Sequence, residues 1–219
     1  MFFFKKLIDL LFPIRCFGCG SYDEWICDQC ARRFCGAPRS IGGQLLFNRY
    51  MARVYTFADY HDPLVSKVVS AFKYQFAYTV GVRVGELMAE QLKRRLALYP
   101  DVQFDAVIPV PLAHRRRRWR GFNQSEILAA SISRRYHWPL VTSAVCRTRF
   151  TELQMTLPAA RRRSNVSNAF VVTDSLYVAG KRILLVDDVI TTGATCNECA
   201  KTLLNAGAED VWVVAFARG

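Results

Sequence analysis

At 219 residues the chain fits one α/β domain with a small appendage. An apolar fraction of 52% supplies a sizeable core and excludes a disordered chain, while a net charge of +12 points to anionic partners without choosing among them. The charge is concentrated, because residues 109–165 hold twelve arginines against two glutamates and no lysine. Arginine's planar fork suits bidentate pairing with phosphate or carboxylate; a solvated basic face is the plainer alternative.

The chain opens Met1-Phe-Phe-Phe-Lys-Lys-Leu-Ile-Asp-Leu-Leu-Phe-Pro13. This stretch is too short to span a bilayer and has no small-residue cleavage site, so no transmembrane segment is expected. It reads as a short amphipathic helix packed on the body, with docking at a membrane surface as the other reading. Five of the eight cysteines follow within residues 16–35. Cys16-Phe-Gly-Cys19 and Cys27-Asp-Gln-Cys30 form two knuckles that can offer four thiolates to one zinc ion; a redox pair is the competing reading. Cys35 is left over, either a substitute ligand or an ordinary buried thiol. Clustered thiols without a secretory leader favour a reducing, cytoplasmic compartment. Gly42 and Gly43 mark a linker between a metal-binding module, residues 1–43, and a main domain, residues 44–219.

Residues 51–60 are rich in strand formers. Asp62 and Pro63 resemble an N-cap and first helical residue, opening a helix through about 74, and residues 80–98 read as a second helix. Lys73, at the end of the first, is either a cation on the helix dipole or a ligand contact. Residues 105–110 form a short strand ending at Pro109-Val-Pro111, where paired prolines stop pairing and place the strand at a sheet edge. Beyond it, Arg115, Arg116, Arg117, Arg118 and Arg120 form a basic loop placed to meet phosphates. Trp119 and Phe122 are interleaved with them, a pattern that suits stacked bases of single-stranded nucleic acid.

A helix is expected over 126–136 and strands over 139–146 and 170–173. Residues 147–165, including Arg149 and Arg163, show no periodicity, as expected for a functional loop or lid. Ile183, Leu184, Leu185 and Val186 then make an apolar run typical of a parallel strand buried on both faces. Asp187 and Asp188 stand where that strand should end. Thr191, Thr192, Gly193, Ala194 and Thr195 form a small-residue loop opening a helix over 195–205, with Gly207 as its C-cap and a last strand at 211–216. Loop amides, hydroxyls and the helix dipole can receive a phosphate, and the carboxylates can accept from ribose hydroxyls. Cys196 and Cys199, three apart on that helix, read as core packing.

The run Leu184-Leu-Val-Asp-Asp-Val-Ile-Thr-Thr-Gly-Ala-Thr195 resembles the phosphoribosyl pyrophosphate signature of type I phosphoribosyltransferases. The two cysteine knuckles, Pro109-Val-Pro111, Arg120-Gly-Phe-Asn-Gln-Ser125, Gln154, Arg163-Ser-Asn-Val166 and Ala169-Phe170 narrow the resemblance to the ComF, or GntX-like, family across nearly the whole chain. The resemblance implies a mainly parallel twisted sheet flanked by helices, with the cysteine module appended. It implies that Asp187 and Asp188 hold ribose hydroxyls, that 191–195 cradle the 5′-phosphate, and that Val110, Pro111 and Leu112 face the pyrophosphate. Magnesium would bridge ribose and pyrophosphate oxygens, and the loop carrying Arg149 and Arg163 would close over the pyrophosphate. Purine-salvage enzymes of the superfamily carry an acid where this chain has Thr191, so the resemblance weakens hypoxanthine or guanine as acceptor. ComF membership implies a part in DNA uptake, with single-stranded DNA and other competence proteins as partners.

Overall fold

A five-stranded sheet carries the fold in the computed structural model, which describes residues 13–34, 39–40, 45, 48–74, 77–148 and 168–219. Its strands run in the order β1 (Arg39–Ser40), β2 (Arg53–Asp59), β7 (Asp210–Arg218), β6 (Arg182–Ile190) and β3 (Ala106–Pro109). Neighbours are parallel except β1, which pairs antiparallel with β2 at the outer edge. The described helices are α1 (Asp28–Phe34), α2 (Pro63–Tyr74), α3 (Ala77–Leu96), α4 (His114–Arg120), α5 (Gln124–Tyr136) and α6 (Ala194–Asn205). A separate ladder pairs β4 (Val145–Arg147) with β5 (Phe170–Val172).

Alternation along β6 sorts the core into two layers, as the period of two demands. Leu184 and Val186 pack with α2, α3 and α5. Ile183 and Leu185 pack with α6 and the β4–β5 ladder. All four are fully buried, as expected for a strand covered on both faces. The cysteine module joins the first layer through Ile26 and Ala31. Trp25 Nε1 donates to Thr79 Oγ1 at 2.9 Å, and Arg83 on α3 donates to Ile26 O at 3.2 Å and pairs with Asp28.

Asp62 caps α2 as its position before Pro63 requires, accepting from Leu64 N at 2.8 Å and Val65 N at 3.3 Å. Four local expectations need correction. The basic segment after Pro111 is not a loop but helix α4, closed by Gly121 at φ +81° with its N–H on Arg117 O. The expected strand over 139–146 is reduced to a single parallel bridge, Leu140 to Val107, and regular pairing begins only at Val145. Pro139 lacks an N–H, and residues 142–144 bend before the ladder begins. The acid pair does not end its strand: β6 continues to Ile190 because β7 runs beside it, pairing Asp187 with Ala215 and Val189 with Ala217. Strand β7 is correspondingly longer than 211–216 and sits inside the sheet between β2 and β6. Strand β3 takes the edge, where Pro109 leaves no ladder bond unmade. The readings placed on residues 1–12, on Cys35 and on the Gly42-Gly43 linker lie outside the described residues.

Candidate functional site

The acid pair, the turn after β3, the ends of α2 and α4, the start of α5 and the loop into α6 line one cavity of about 400 Å³. It opens at the carboxyl ends of the parallel strands, the usual ligand position in such sheets. Adjacent acids on a strand point to opposite faces, so the two carboxylates have different surroundings.

Asp187 is buried, 9% exposed. Its Oδ1 accepts from Ser125 Oγ at 3.1 Å and from Asp188 N at 2.9 Å, and its Oδ2 accepts from Cys196 Sγ at 3.3 Å. Burial and the neighbouring Asp188 charge push the Asp187 carboxyl up to about 7, against the pull of those donors. Asp188 faces α2, where Lys73 Nζ stands 3.5 Å from its Oδ2, and Val189 N donates to its Oδ1 at 2.7 Å.

Cations ring the acids. Lys73, Arg116, Arg120 and Arg147 all line the cavity. Burial and the nearby Arg116 guanidinium bring Arg147 down to about 10, so it remains a cation at neutral pH, while Asp187 and Cys199 act the other way. Its guanidinium also lies over the Phe170 ring, 5.4 Å from the centroid. At the other wall, Asn123 Nδ2 donates to Val110 O at 3.0 Å and Asn123 Oδ1 accepts from Ser125 N at 3.2 Å. One residue thereby caps α5 and fixes the turn at Val110, Pro111 and Leu112. On the α6 side Gly193 takes φ +84°, a conformation that favours glycine. Thr192 Oγ1 accepts from Ala194 N at 3.4 Å, inside the turn.

The cavity therefore brings together the expected Asp187, Asp188, Thr191, Thr195, Val110, Pro111, Leu112, Lys73, Arg116 and Arg120. Thr192, Gly193 and Ala194 shape the loop behind it, without lining it. Helix α4 divides the basic cluster: Arg116 and Arg120, four apart, face the cavity, while Arg115, Arg118 and Trp119 are exposed on the outside. Arg117 forms a bidentate pair with Glu126, at 2.9 and 3.2 Å, so its charge is already answered. Arg149 and Arg163 lie outside the described residues. Sequence reasoning missed Ser125, Asn123, Gln124, Tyr60, Ser70 and Val189, all of which line the cavity, and placed Arg147 at the start of a loop where the structure has it on β4. Asn123, Gln124 and Ser125 carried a signal, since they belong to the motif quoted above.

A second cluster stands apart. The sulfurs of Cys16, Cys19, Cys27 and Cys30 all lie within 4.8 Å of one another, with Cys19 and Cys27 at 3.6 Å. Cys27 N lies 3.4 Å from Cys16 Sγ, and Cys30 N lies 3.5 Å from Cys27 Sγ. Burial raises the Cys16 thiol, but backbone amides of Cys27, Cys19 and Gly18 outweigh it and bring it down to about 6. Cys30 goes the other way, up to about 12, through burial and the neighbouring sulfurs. Four sulfurs this close together, on two CxxC turns, could hold a metal ion.

A family model described as the phosphoribosyl transferase domain matches residues 80–219. The DNA utilization protein YhgH of Escherichia coli O157:H7 is 36% identical over 197 residues, covering 90% of this chain and 85% of that protein. Competence protein F of Haemophilus influenzae is 34% identical over 167 residues, with 76% and 72% covered. Competence protein ComFC of Bacillus subtilis is 28% identical over 218 residues, with 84% and 80% covered. Fold and family match together define a type I phosphoribosyltransferase-like α/β domain with a four-cysteine cluster near its amino terminus. The chain belongs to the ComF family. Among the described residues no helix is long and apolar enough to cross a membrane.

Proposed function

We propose that the cavity binds phosphoribosyl pyrophosphate and that the protein is a phosphoribosyltransferase acting in DNA uptake. The observation that carries this reading is the single cavity in which two carboxylates meet the loop into α6 and four cations. Asp187 and Asp188 would accept from the ribose hydroxyls. Thr191 and Thr195, with the amides that open α6, would hold the 5′-phosphate. The turn at Val110, Pro111 and Leu112, with Arg116, Arg120 and Arg147, would take the pyrophosphate.

In the transfer the C1–pyrophosphate bond breaks as a nucleophile attacks the anomeric carbon, and pyrophosphate leaves with its electron pair. Cations gathered on the leaving group stabilise the developing negative charge. Asp187 and Asp188 hold the sugar so that its C1 stays exposed to the incoming nucleophile. The paired carboxylates and the phosphate-facing cations suit a ligand delivered with magnesium, which would neutralise pyrophosphate oxygens. Thr191 carries no carboxylate to serve as a base, which suits an acceptor that arrives anionic or as ammonia and so needs none.

The cysteine cluster fits zinc. A tetrahedral thiolate set with bonds of about 2.3 Å holds its sulfurs about 3.8 Å apart, a spacing the present cluster reaches with small adjustments. Cys16, Cys19, Cys27 and Cys30 would be its ligands, in a module fastening the amino-terminal region onto α2 and α3. The cytoplasm, where thiols stay reduced, suits that site.

A second reading rests on the outer face of α4. Trp119 is 69% exposed, next to Arg118 and one turn on from Arg115, an arrangement for stacking a base and contacting its phosphates. On this reading the protein handles single-stranded DNA, alongside other competence proteins, and phosphoribosyl pyrophosphate regulates it without turnover. The names of the relatives above, DNA utilization and competence proteins, favour a DNA role in either case. One experiment separates the two. Pyrophosphate release is measured across bases, ammonia and glutamine, in the wild type and in Asp187→Asn/Asp188→Asn. Release that the double variant abolishes supports transfer. Ligand binding with no release from any acceptor supports regulation.

A further inference from the structure

Two helices grip the carboxylate of Asp187, one at each oxygen. Ser125 Oγ, in the first turn of α5, donates to Oδ1, and Cys196 Sγ, in the first turn of α6, donates to Oδ2. Both residues are buried, at 4% and 1% exposed. A buried cysteine ordinarily serves as a small apolar residue. Here the thiol has a carboxylate to donate to, which alanine or valine in the same space would lack.

We propose that Ser125 and Cys196 are positioning residues for Asp187, fixing both its oxygens so that the carboxylate presents one orientation to the sugar. The proposal deepens, and rests on, the reading of the cavity as a phosphoribosyl pyrophosphate site. Asn123 extends the arrangement, because it bonds both Ser125 N and Val110 O. A single segment at the start of α5 therefore sets the ribose carboxylate and the pyrophosphate turn together. Ligand recognition at a sugar hydroxyl tolerates little misplacement, so fixing the acceptor atoms in advance strengthens it.

The donors also act on charge. Each favours the ionised form of Asp187, opposing burial and Asp188. The other groups near it are Cys199 on α6 and Arg147 on β4. Lys73 on α2 acts through Asp188, and Arg116 on α4 through Arg147. Removing a donor leaves all of these in place.

The test is a pH titration of the Asp187 carboxyl by carbon-13 NMR on the full, ligand-free chain. Ser125→Ala and Cys196→Ala are each expected to raise its midpoint by about half a unit to one unit. Cys196→Ser, whose hydroxyl donates in the same place, is expected to restore the wild-type midpoint. Midpoints unmoved in both alanine variants, or Cys196→Ser shifting as far as Cys196→Ala, would overturn the proposal. Should Ser125→Ala fail to fold, the two substitutions at Cys196 decide the matter. Calorimetry with phosphoribosyl pyrophosphate and magnesium runs in parallel, with each alanine variant expected to bind about three- to tenfold more weakly at pH 7. A wild type that does not bind would sink the ligand reading, while the titration still decides the positioning.

Discussion

Lys73 Nζ stands 3.5 Å from Asp188 Oδ2, with each side chain less than one-fifth exposed. The ammonium is the last basic group of α2, and its partner lies on the face of β6 opposite Asp187. The pair holds a cation at the edge of the cavity, where the proposed phosphoribosyl ligand would bring negative charge. Lys73→Met is expected to weaken binding of phosphoribosyl pyrophosphate about tenfold or more, since a hydrogen bond to a charged group contributes roughly 1.5–3 kcal/mol. Calorimetry at fixed magnesium checks this. Equal or tighter binding by Lys73→Met would mean that the lysine only competes with the sugar for Asp188.

The second prediction concerns pH. Asp187 is raised to about 7 in the folded chain, above the ordinary carboxylate value near 4. Between these values the unfolded chain has lost the proton while the folded chain keeps it. The unfolded state then binds fewer protons, so this group's contribution to stability falls as pH rises from about 4 to about 7, and levels off above. Asp187→Asn removes the titration. Urea unfolding at pH 5, 6, 7 and 8 should show the variant gaining on the wild type up to neutrality, by about 1 kcal/mol per unit or somewhat less. A constant difference across the series contradicts the shift.

Much of this site was legible in the sequence because its signal is local. The apolar run from Ile183 to Val186, the acid pair and Gly193 follow one another within a dozen residues, and each has a backbone reason for its place. What was not legible depended on pairing between distant segments. Strand β6 overruns Asp188 because β7 lies alongside it, which nothing in residues 182–190 discloses. Arg147 enters the cavity because β4 pairs with β5, bringing Arg147 opposite Phe170 across the ladder. Cys196 and Cys199 do pack in the core, as read, but their spacing says nothing of the contact between Cys196 and Asp187, nine residues earlier on a different element. The basic run hid a division that only helical geometry makes: Arg116 and Arg120 inward, Arg115, Arg118 and Trp119 outward.

Close helix packing supports the site from behind. A Cβ on Gly85 of α3 would stand 2.6 Å from Ser131 Cβ and 3.3 Å from Leu128 Cα of α5. Gly85→Ala must therefore push α5 away, at a cost of about 1–3 kcal/mol. Because α5 begins with the segment that holds Val110 and Asp187, ligand affinity should fall together with thermal stability. A variant that loses stability while binding at wild-type strength would show that the start of α5 is held independently of its middle.

The cysteine cluster makes a prediction in stoichiometry. Purified protein should carry one zinc per chain, and Cys19→Ser or Cys27→Ser should lower that content and the melting temperature together, because a structural metal contributes its binding energy to folding. Cys35→Ser should leave the metal content unchanged if the four close sulfurs are the complete set. Mass spectrometry under native conditions reads the first quantity and thermal unfolding the second. Zinc lost in Cys35→Ser and kept in Cys19→Ser would assign the fourth ligand to Cys35.

The two faces of α4 allow cavity and outer surface to be tested separately. Arg115→Ala/Arg118→Ala removes charge from the exposed face, while Arg116→Ala/Arg120→Ala removes it from the cavity. If single-stranded DNA runs along the outside, the first pair should weaken its binding and reduce the salt slope by about 1–2, with phosphoribosyl pyrophosphate affinity unchanged. Trp119→Ala should weaken DNA binding by about 1–3 kcal/mol without altering the slope, since stacking releases no counterions. The second pair should instead weaken the small ligand. Arg117 provides an internal comparison: its bidentate contact with Glu126 already answers its charge, so Arg117→Ala should affect DNA less than Arg118→Ala. Fluorescence anisotropy across a salt series, with calorimetry for the small ligand, measures each of these variants. A uniform loss of DNA binding from every arginine of α4 would mean that the nucleic acid follows the whole basic field and that the helix does not sort its partners by face.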